Sequence, residues 1–570
     1  MGSPLRQPLS STGCDWLTGR QPLRRVDRHR VFFVSSAIVL AALLFPSLGG
    51  CDYQAKREVP DPPAVVRQTE AAPIVVDGAK LAKNVQSFCG DCHAPPKAES
   101  FSKGQWPREV RRGFEFYTET GRADLTIPRE DDVLKYYVDQ APETLPLPQT
   151  YPLDRVAEKQ FVFTQSAAPR DLKEGTAGAN IVSFDWGPPL GQMMMMSDMR
   201  NGSIFACGFN GEGFDECKIV AKLQHPCRLV QCDLDGSGQQ GLLVSELGSF
   251  LPADHALGRV VWFRRNSETE LTFDKEVLLR GCGRIADAQA VDLDQDGDLD
   301  ITVADFGWHK TGRILWLERI ASGPVNAASF VTHIIDERPG ALQVPAVDIN
   351  GDGRLDIVAL IAQESEAVVA FLNDGKGGFH PTTLYTPADP AYGSSGMELC
   401  DLDQDGDIDI LYTNGDSFDS YKVKPYHGVR WLENQGELKF LEHELAKLPG
   451  AHRAVPSDLD QDGDLDIVAC SFLPGDLISE FKEAPAMAII WLENLGDQKF
   501  VTRPLQVDGC IHPALCVDDY NDDGIPDIAA ANFYEDASKH LPAMDILLAT
   551  GVPLDATDQP AATTVGEVNR

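Results

Sequence analysis

Two cysteines and a histidine are the first residues in the chain whose types and spacing could do chemistry. Cys89 and Cys92 enclose two residues, and His93 follows directly, in the stretch FCGDCHAPP (88–96). This Cys-x-x-Cys-His pattern is typical of covalent haem c attachment. It predicts one haem c, with thioether bonds to both cysteines and an iron bond to His93. The alternatives are half of a zinc site or a local disulfide, although residues 77–146 contain no second cysteine pair.

The sixth coordination position of the iron has no obvious ligand in this segment. Residues 94–146 contain neither methionine nor histidine, and a methionine ligand is what raises the potential of many cytochromes. We expect an open or weakly ligated iron. The alternatives are Lys97, Lys103, Lys135 or Tyr117, or, from further along the chain, Met199, His225, His452 or His512.

A second chemical pattern is an acidic phrase that occurs five times. Each copy places carboxylate or amide oxygens at positions 1, 3, 5 and 9 and glycine at position 6. That alternation matches EF-hand loops, in which oxygen atoms surround calcium, but the EF-hand glutamate at position 12 and its flanking helices are missing. The phrase predicts about five Ca²⁺ ions. The predicted ligands are Asp292, Asp294, Asp296 and Asp300; Asp348, Asn350, Asp352 and Asp356; Asp401, Asp403, Asp405 and Asp409; Asp458, Asp460, Asp462 and Asp466; and Asp519, Asn521, Asp523 and Asp527.

The phrase also carries a fold signal. A sixth, degenerate copy begins at Asp233 (DLDGSGQQG) and keeps two carboxylates, so we expect it to be empty or weak. The copies start 53 to 61 residues apart, a period that indicates stacked supersecondary units. Apolar, β-rich runs follow each copy, and most units contain a later WLEN-like strand. Four short strands per unit predict a propeller blade.

These loops resemble the FG-GAP or VCBS repeats of integrin-type propellers, in which they join the first two strands of a blade. The resemblance implies a mainly β fold, a seven-bladed β-propeller over residues 159–552. Residues 180–209 then form a first blade without calcium, and the MMMM run at 193–196 belongs to its core. The last blade lacks an outer strand, which 159–167 is predicted to supply, since closure removes exposed strand edges.

The elements around the Cys-x-x-Cys-His pattern are predicted helices. Apolar spacing in DGAKLAKNVQSFCGDCH indicates a helix that leads into the motif, and PREDDVLKYYVDQAP is bounded by prolines and begins with acids. This order, with the aromatic pair Tyr136 and Tyr137 in the last helix, resembles a small class I cytochrome c. We therefore expect an all-α haem domain over residues 77–146, joined to the propeller by a linker at 147–158.

The N-terminus predicts export. Arginines between residues 20 and 30 precede an uncharged run at 31–50 that ends in small residues, as in a signal segment covering 1–50. The ending SLGGC resembles a bacterial lipobox, which implies a lipid anchor on Cys51 and a cell-envelope location facing the periplasm or exterior. An uncleaved transmembrane anchor is the alternative. Residues 51–76 then form a tether, and 553–570 a flexible tail.

Composition and loop placement limit the function. The net charge of −36 and pI near 4.6 argue against nucleic acid, because phosphates would be repelled.

Seven histidines fall in the loops opposite the calcium loops: His225, His255, His309, His427, His452, His512 and His540. The aromatic residues there are Phe250, Trp308, Phe418, Phe472, Phe533 and Tyr534. The candidate catalytic residues are His452, Arg453 and His512.

Three functional classes remain open. The first is a membrane-tethered electron-transfer protein, with a redox partner protein and a glycan or protein ligand on the propeller face. The second is an oxidoreductase whose propeller face oxidises a small substrate and reduces the haem, although no dinucleotide-binding or nucleophile-elbow motif is present. The third is an adhesion protein with a non-essential haem.

Nine further cysteines allow disulfides outside the cytosol, with Cys207–Cys217 and Cys510–Cys516 close enough in sequence to pair.

Overall fold

The computed structural model describes most of the predicted haem domain and propeller. The described residues are 78–91, 95–119, 123–146, 161–166, 169–209, 217–320, 323–363, 365–387, 389–418, 422–478, 486–539 and 542–549. The predicted signal, lipid-anchor cysteine, tether, linker and tail lie outside them, as do Cys92, His93 and His540.

Three helices form the N-terminal unit: α1 (Gly78–Cys89), α2 (Trp106–Glu119) and α3 (Glu130–Val138), with a 3₁₀ turn at Ala98–Ser100. The predicted helices α1 and α3 are confirmed, whereas α2 was not predicted. The indole of Trp106 is buried and stacks on Tyr137 with 3.9 Å between ring centroids, so α2 and α3 share one core. Of the helices in the described residues, none is both long and apolar enough to span a bilayer.

The remaining described residues form seven antiparallel sheets, numbered here as blades 1 to 7. Blade 1 comprises β2 (Gly178–Asp185), β3 (Gln192–Asp198), β4 (Ser203–Gly208) and β5 (Lys218–Lys222). Blade 2 comprises β6 (Pro226–Cys232), β7 (Gly241–Glu246), β8 (Gly258–Arg265) and β9 (Phe273–Cys282). Blade 3 comprises β10 (Ile285–Val291), β11 (Asp300–Asp305), β12 (Arg313–Arg319) and β13 (Phe330–Asp336), and a 3₁₀ turn at Ala327–Ser329 precedes β13.

Blades 4 to 7 continue the same order, and the inner strand of blade 4 is split in two. Blade 4 comprises β14 (Ala341–Gln343), β15 (Ala346–Val347), β16 (Asp356–Ile361), β17 (Ala367–Asn373) and β18 (Phe379–Tyr385), and blade 5 comprises β19 (Ser394–Cys400), β20 (Asp409–Asn414), β21 (Gly428–Asn434) and β22 (Phe440–Lys447). Blade 6 comprises β23 (Ala451–Ser457), β24 (Asp466–Ser471), β25 (Met487–Asn494) and β26 (Phe500–Val507), with a short helix α4 (Gly475–Ile478) after β24. Blade 7 comprises β27 (Ala514–Asp518), β28 (Asp527–Ala531), β29 (Met544–Ala549) and β1 (Phe161–Ser166).

The predicted ring closure is confirmed. Strand β1 comes first in the sequence but is the outer strand of blade 7, where it pairs antiparallel with β29 from Phe161 opposite Ala549 to Ser166 opposite Met544. Met194 and Met196 of blade 1 pack against blade 7 in one buried cluster. The methionine run is therefore blade core, as predicted.

Burial explains why the repeated apolar runs form strands. The second strand of each calcium-phrase blade is buried along its length, as in β11 and β16, because its sheet is covered by neighbouring blades on both faces. Branched apolar side chains suit such a surface. Outer strands such as β13 expose much of their length, as expected at the rim of a propeller.

One of the two predicted disulfides is present. Cys207 and Cys217 are bonded, whereas Cys510 and Cys516 are both free, so the second prediction was wrong. The reason is positional. The carbonyl of Cys510 accepts a hydrogen bond from the Leu473 N–H of blade 6 (2.9 Å), while Cys516 lies inside β27 of blade 7. The two cysteines accordingly pack in different hydrophobic clusters, Cys510 with Leu473 and Cys516 with Ala514.

We expect one of two neighbouring proline substitutions in β1 to open the ring. Residues in an antiparallel edge strand direct their N–H groups alternately toward and away from the partner. Of Phe163→Pro and Thr164→Pro, the variant that loses its N–H to β29 should be less stable by about 1 kcal/mol, the net contribution of one ladder hydrogen bond, and the other serves as its matched control. Thermal unfolding of both variants measures the difference. Equal, small effects would contradict closure by β1.

Candidate functional site

The acidic loops lie between the inner and second strands of their blades and are held by their own side chains. In the blade 3 loop, the carboxylate of Asp292 accepts hydrogen bonds from the N–H groups of Asp296 and Gly297, both at 3.1 Å. In the blade 7 loop, Asp519 accepts the equivalent bonds from Asp523 (3.1 Å) and Gly524 (2.7 Å). The alternating carboxylates thus shape the turn and face one another.

In each of three loops, the carboxylates of that loop lie close enough together to bind one ion. Ligand oxygens of the first three aspartates lie within 4.8 Å of one another in the loops that begin at Asp292, Asp401 and Asp458. Burial and the neighbouring acids raise the pKa of Asp294 and Asp403, and raise that of Asp460 to about 6. A divalent cation would relieve this repulsion, because an opposite charge favours the ionised form.

The position 9 aspartate of each loop is almost fully buried. In blade 5, Asp409 accepts hydrogen bonds from Leu402 N–H (3.1 Å) in the loop and Asn434 N–H (2.7 Å) at the end of the third strand. Burial raises the pKa of Asp466 to about 7 and that of Asp409 to about 6. The equivalent residues Asp300, Asp356 and Asp527 are equally buried. Their remaining lone pairs stay available to an ion.

Unsatisfied oxygens give a test of whether the loops fit a cation. Oδ1 of Asp401 and Oδ1 of Asp458 are buried and have no hydrogen-bond partner among the described residues. A buried polar atom without a partner is destabilising. A hard cation with oxygen ligands, such as Ca²⁺, would satisfy both atoms, so the loop residues fit the predicted ion.

The degenerate loop keeps the turn but loses the buried acid. Asp233 accepts hydrogen bonds from Ser237 N–H (2.9 Å) and Gly238 N–H (2.7 Å), as in the complete loops. Position 9 is Gly241, where a Cβ would lie 2.8 Å from the carbonyl oxygen of Phe263 and 2.8 Å from Nε1 of Trp262. A side chain at this position would require these atoms to shift, so weak or absent ion binding stays the prediction for this blade.

The structure also reveals links between neighbouring loops that the sequence analysis missed. Nε2 of Gln295 donates to the carbonyl oxygen of Gly353 in the next loop (2.9 Å), and Gln404 donates to Gly463 (3.0 Å). Gln461 makes the same contact with Gly524. The glutamine at position 4 of the phrase was the available signal. Its contacts join the loop of blade 3 to that of blade 4, and the loops of blades 5, 6 and 7 in series.

Of the cysteines and the histidine of the Cys-x-x-Cys-His motif, the structure describes Cys89, which is the last residue of α1. Its thiol is free and half-buried, and burial raises its pKa, while a hydrogen bond with Tyr137 acts in the opposite direction. A cleft lies beside it, lined by Val85, Gln86, Pro95, Pro96, Lys97, Ala98, Glu99, Tyr136, Tyr137 and Gln140. A thiol next to a cleft that Tyr136 and Tyr137 help to line is compatible with a thioether-bound haem. His93 and Cys92 lie outside the described residues.

Among the helical candidates for the sixth ligand, Lys97 lines the cleft. Lys103 and Lys135 form ion pairs with Glu143 (2.6 Å) and Asp139 (2.7 Å). The hydroxyl of Tyr117 accepts a hydrogen bond from Leu125 N–H at 3.2 Å. Of these four side chains Lys97 is thus the one that lines the cleft, and the sixth ligand stays a prediction.

The catalytic candidates occupy different environments in the propeller. His512 is fully buried, with Nε2 3.8 Å from a carboxylate oxygen of Asp545. Nδ1 of His452 hydrogen-bonds to the carbonyl oxygen of Pro513 (2.9 Å), and burial lowers the pKa of His452 to about 4. Arg453 forms an ion pair with Glu398. His452 is thus neutral, and His512 is out of reach of solvent.

Four of the predicted aromatic residues form a cluster on the face opposite the calcium loops. Ring centroids lie 6.2 Å apart for Phe250 and Phe533, 5.1 Å for Phe472 and Phe533, and 5.3 Å for Phe418 and Phe472. The imidazole of His452 lies at one edge, 5.9 Å from Phe472. The cluster draws on blades 2, 5, 6 and 7, because each phenylalanine follows the second strand of its blade.

His225 lies next to Phe250, at the opposite edge of the phenylalanine cluster from His452, and hydrogen-bonds to a main-chain carbonyl. Nδ1 of His225 hydrogen-bonds to the carbonyl oxygen of Met199 at 2.7 Å, and its ring lies 6.2 Å from Phe250. Met199, itself a candidate iron ligand, therefore holds His225 through its main chain. His309 lies apart from the cluster and contacts Phe116 of α2, with 5.1 Å between ring centroids.

One family comparison supports the propeller. The family model for the FG-GAP-like repeat matches residues 348–412, so the chain is a seven-bladed β-propeller that contains an FG-GAP-like repeat. No curated protein matches the chain significantly. Similar solved structures include an Agrocybe aegerita lectin that recognises non-reducing terminal N-acetylglucosamine (15% identity, 68% of this chain and 98% of that chain, TM-score 0.37). Another is BBS1N in complex with ARL6DN, soaked with mercury (12%, 68% and 97%, TM-score 0.40).

Removing calcium should destabilise the propeller, and the complete loops should account for the loss. A site held at a hundred times its Kd contributes about 2.7 kcal/mol. We therefore expect Asp458→Asn to lower the melting temperature in excess calcium, while Asp233→Asn in the degenerate loop changes it little. Differential scanning calorimetry with calcium or chelator checks both. An unchanged wild-type melting temperature after confirmed metal loss would contradict the calcium prediction.

The buried aspartates also predict a pH dependence of the metal-free protein. The pKa of Asp466 is about 7 in the folded chain, well above its value near 3.9 in an unfolded chain. The folded state therefore binds the extra proton between these values, and the free energy of unfolding should decrease as pH rises from 5 to 7. Urea unfolding of metal-free protein at both pH values measures the slope. Asp466→Asn should flatten it, and a steeper fall in that variant would contradict the assignment.

Proposed function

We propose that the protein is an extracytoplasmic haem c electron-transfer protein whose helical domain is carried by a calcium-stabilised propeller. The observation that carries this proposal is the free Cys89 thiol at the end of α1, beside a cleft partly lined by Tyr136 and Tyr137 and directly before the rest of a Cys-x-x-Cys-His motif. Bound haem would supply one-electron redox chemistry. Cys89 and Cys92 would hold it, and His93 would be its axial ligand.

The other parts of the chain have supporting roles in this proposal. The aspartate loops would bind calcium and stiffen the ring. A lipid on Cys51 would tether the protein to a membrane of the cell envelope. A net charge of −36 would attract a basic redox partner and speed its association. The propeller face would add a protein or glycan ligand.

The face that carries His452 favours a second candidate function. Helix α2 reaches this face through the contact of Phe116 with His309, and the phenylalanine cluster lies on it as well. A small substrate oxidised there could pass electrons to a haem in the helical unit. In that case the protein would be an oxidoreductase, with His452 and Arg453 near the substrate.

The optical spectrum of the full chain, expressed with haem maturation factors, tests the first proposal. We expect a covalent haem whose reduced pyridine adduct shows two thioether bonds, and Cys89→Ala should remove one of them. Cys227→Ala, at a free thiol of the propeller, is the matched control and should leave the spectrum unchanged. A wild-type protein without covalent haem would overturn the proposal. Haem reduction by added small substrates, lost in His452→Ala, would instead favour the oxidoreductase.

A further inference from the structure

The helical unit is attached to the propeller through two buried charged side chains. Asp389 lies between blades 4 and 5, and Lys424 lies in the loop between β20 and β21. Each is only 2% exposed. Charged residues are rarely buried to this extent without specific partners, so their contacts identify what this surface recognises.

Both residues contact the segment 97–101 of the helical unit. A carboxylate oxygen of Asp389 accepts hydrogen bonds from the Lys97 N–H (2.9 Å) and from the hydroxyl of Ser100. The ammonium of Lys424 donates to the Ser100 carbonyl oxygen (2.6 Å) and lies 3.4 Å from the centroid of the Phe101 ring. The propeller thus binds the main chain, a side chain and an aromatic ring of one short segment.

The propeller side of this contact is itself fixed. The other carboxylate oxygen of Asp389 accepts a hydrogen bond from Ala391 N–H (2.7 Å), and the hydroxyl of Tyr426 donates to the carbonyl oxygen of Ala391 (2.9 Å). Ala391 also packs against the apolar core of the helical unit. The two charges are therefore presented by an ordered loop pair.

The segment they hold is a wall of the cleft beside Cys89. Lys97, Ala98 and Glu99 line that cleft, and Nε1 of Trp106 donates to the Ala98 carbonyl oxygen (2.9 Å). The segment begins four residues after His93 in the sequence. Movement of residues 97–101 would consequently change the volume and hydration of the cleft.

We propose that Asp389 and Lys424 are positioning residues for the haem cleft, so that the propeller sets the environment of a group bound in the helical domain. Burying two charges costs desolvation energy, and such polar contacts can fix one orientation where apolar packing would allow several. The helical domain then works docked on the propeller and is not a free shuttle on its linker. The part of this inference that concerns haem rests on the proposed function.

The first test uses the full chain without haem. Asp389→Ala removes the acceptor of the Lys97 amide, so hydrogen exchange of that amide should be about tenfold faster, and Cys89 should be alkylated faster as the cleft opens. Lys424→Met should act in the same direction. The Lys103 amide, which donates to Pro142 (2.9 Å) inside the helical unit, should keep its protection and so separates local release from unfolding.

Matched controls are available on exposed positions. Asp171→Ala and Lys376→Met repeat the two substitutions at exposed residues and should leave exchange and alkylation unchanged. The double variant Asp389→Ala/Lys424→Met should show less than the sum of the single effects, because the two charges act on one segment. Wild-type exchange at Lys97 and wild-type alkylation of Cys89 in both single variants would overturn the proposal.

The second test uses the haem-loaded protein and reports on positioning. Greater hydration of the cleft should lower the midpoint potential in both single variants relative to the exposed controls, since solvent exposure is one of the terms that set a haem potential. Faster exchange with an unchanged potential would reduce the contact to a purely structural role and overturn the positioning claim. A wild-type chain that binds no haem would overturn the proposed function, while exchange and alkylation would still decide whether the propeller holds the cleft wall.

Discussion

A buried carboxylate at the end of every complete acidic loop is the constraint on which the propeller depends. Each of these aspartates binds the N–H of a loop residue and the N–H of a residue at or just beyond the end of the third strand, as Asp466 does with Leu459 (3.1 Å) and Asn494 (2.7 Å). The same carboxylate therefore ties the loop to the end of the third strand, and it contributes the negative charge that a bound cation would balance. Loop shape and blade packing cannot vary independently in five of the seven blades.

Much of the fold could be predicted because the chain repeats itself. The recurring phrase marked six of the seven blades and the position of their loops, and the missing outer strand of the last blade pointed to β1. Helix α2 was missed although its sequence carried the signal, since Trp106, Val110 and Tyr117 follow helical spacing and are buried. The stacking of Trp106 on Tyr137 of α3 could not be read from that spacing. The Cys510–Cys516 pairing failed because sequence proximity does not show that the two residues belong to different blades.

The candidate sites were predictable where spacing determines chemistry and not where tertiary contact does. The oxygens of the acidic loops and the thiol of Cys89 follow directly from their motifs. Asp389 and Lys424 stand in irregular loops without any pattern, and only the fold brings them to residues 97–101. Similarly, the glutamines that link adjacent loops have ordinary side chains, and their role depends on the distance between blades.

The position of β1 has a consequence for how the molecule is made. Its partner β29 contains the last described residues of the chain, so the strand that leaves the biosynthetic machinery before all others in the propeller must wait for the one that leaves last. Contacts of such high sequence separation form slowly, because the loop-closure entropy is lost before the pairing is gained. During that interval two strand edges are exposed to other nascent chains. Folding of the propeller would therefore benefit from a chaperone that shields both strand edges until β29 has been made.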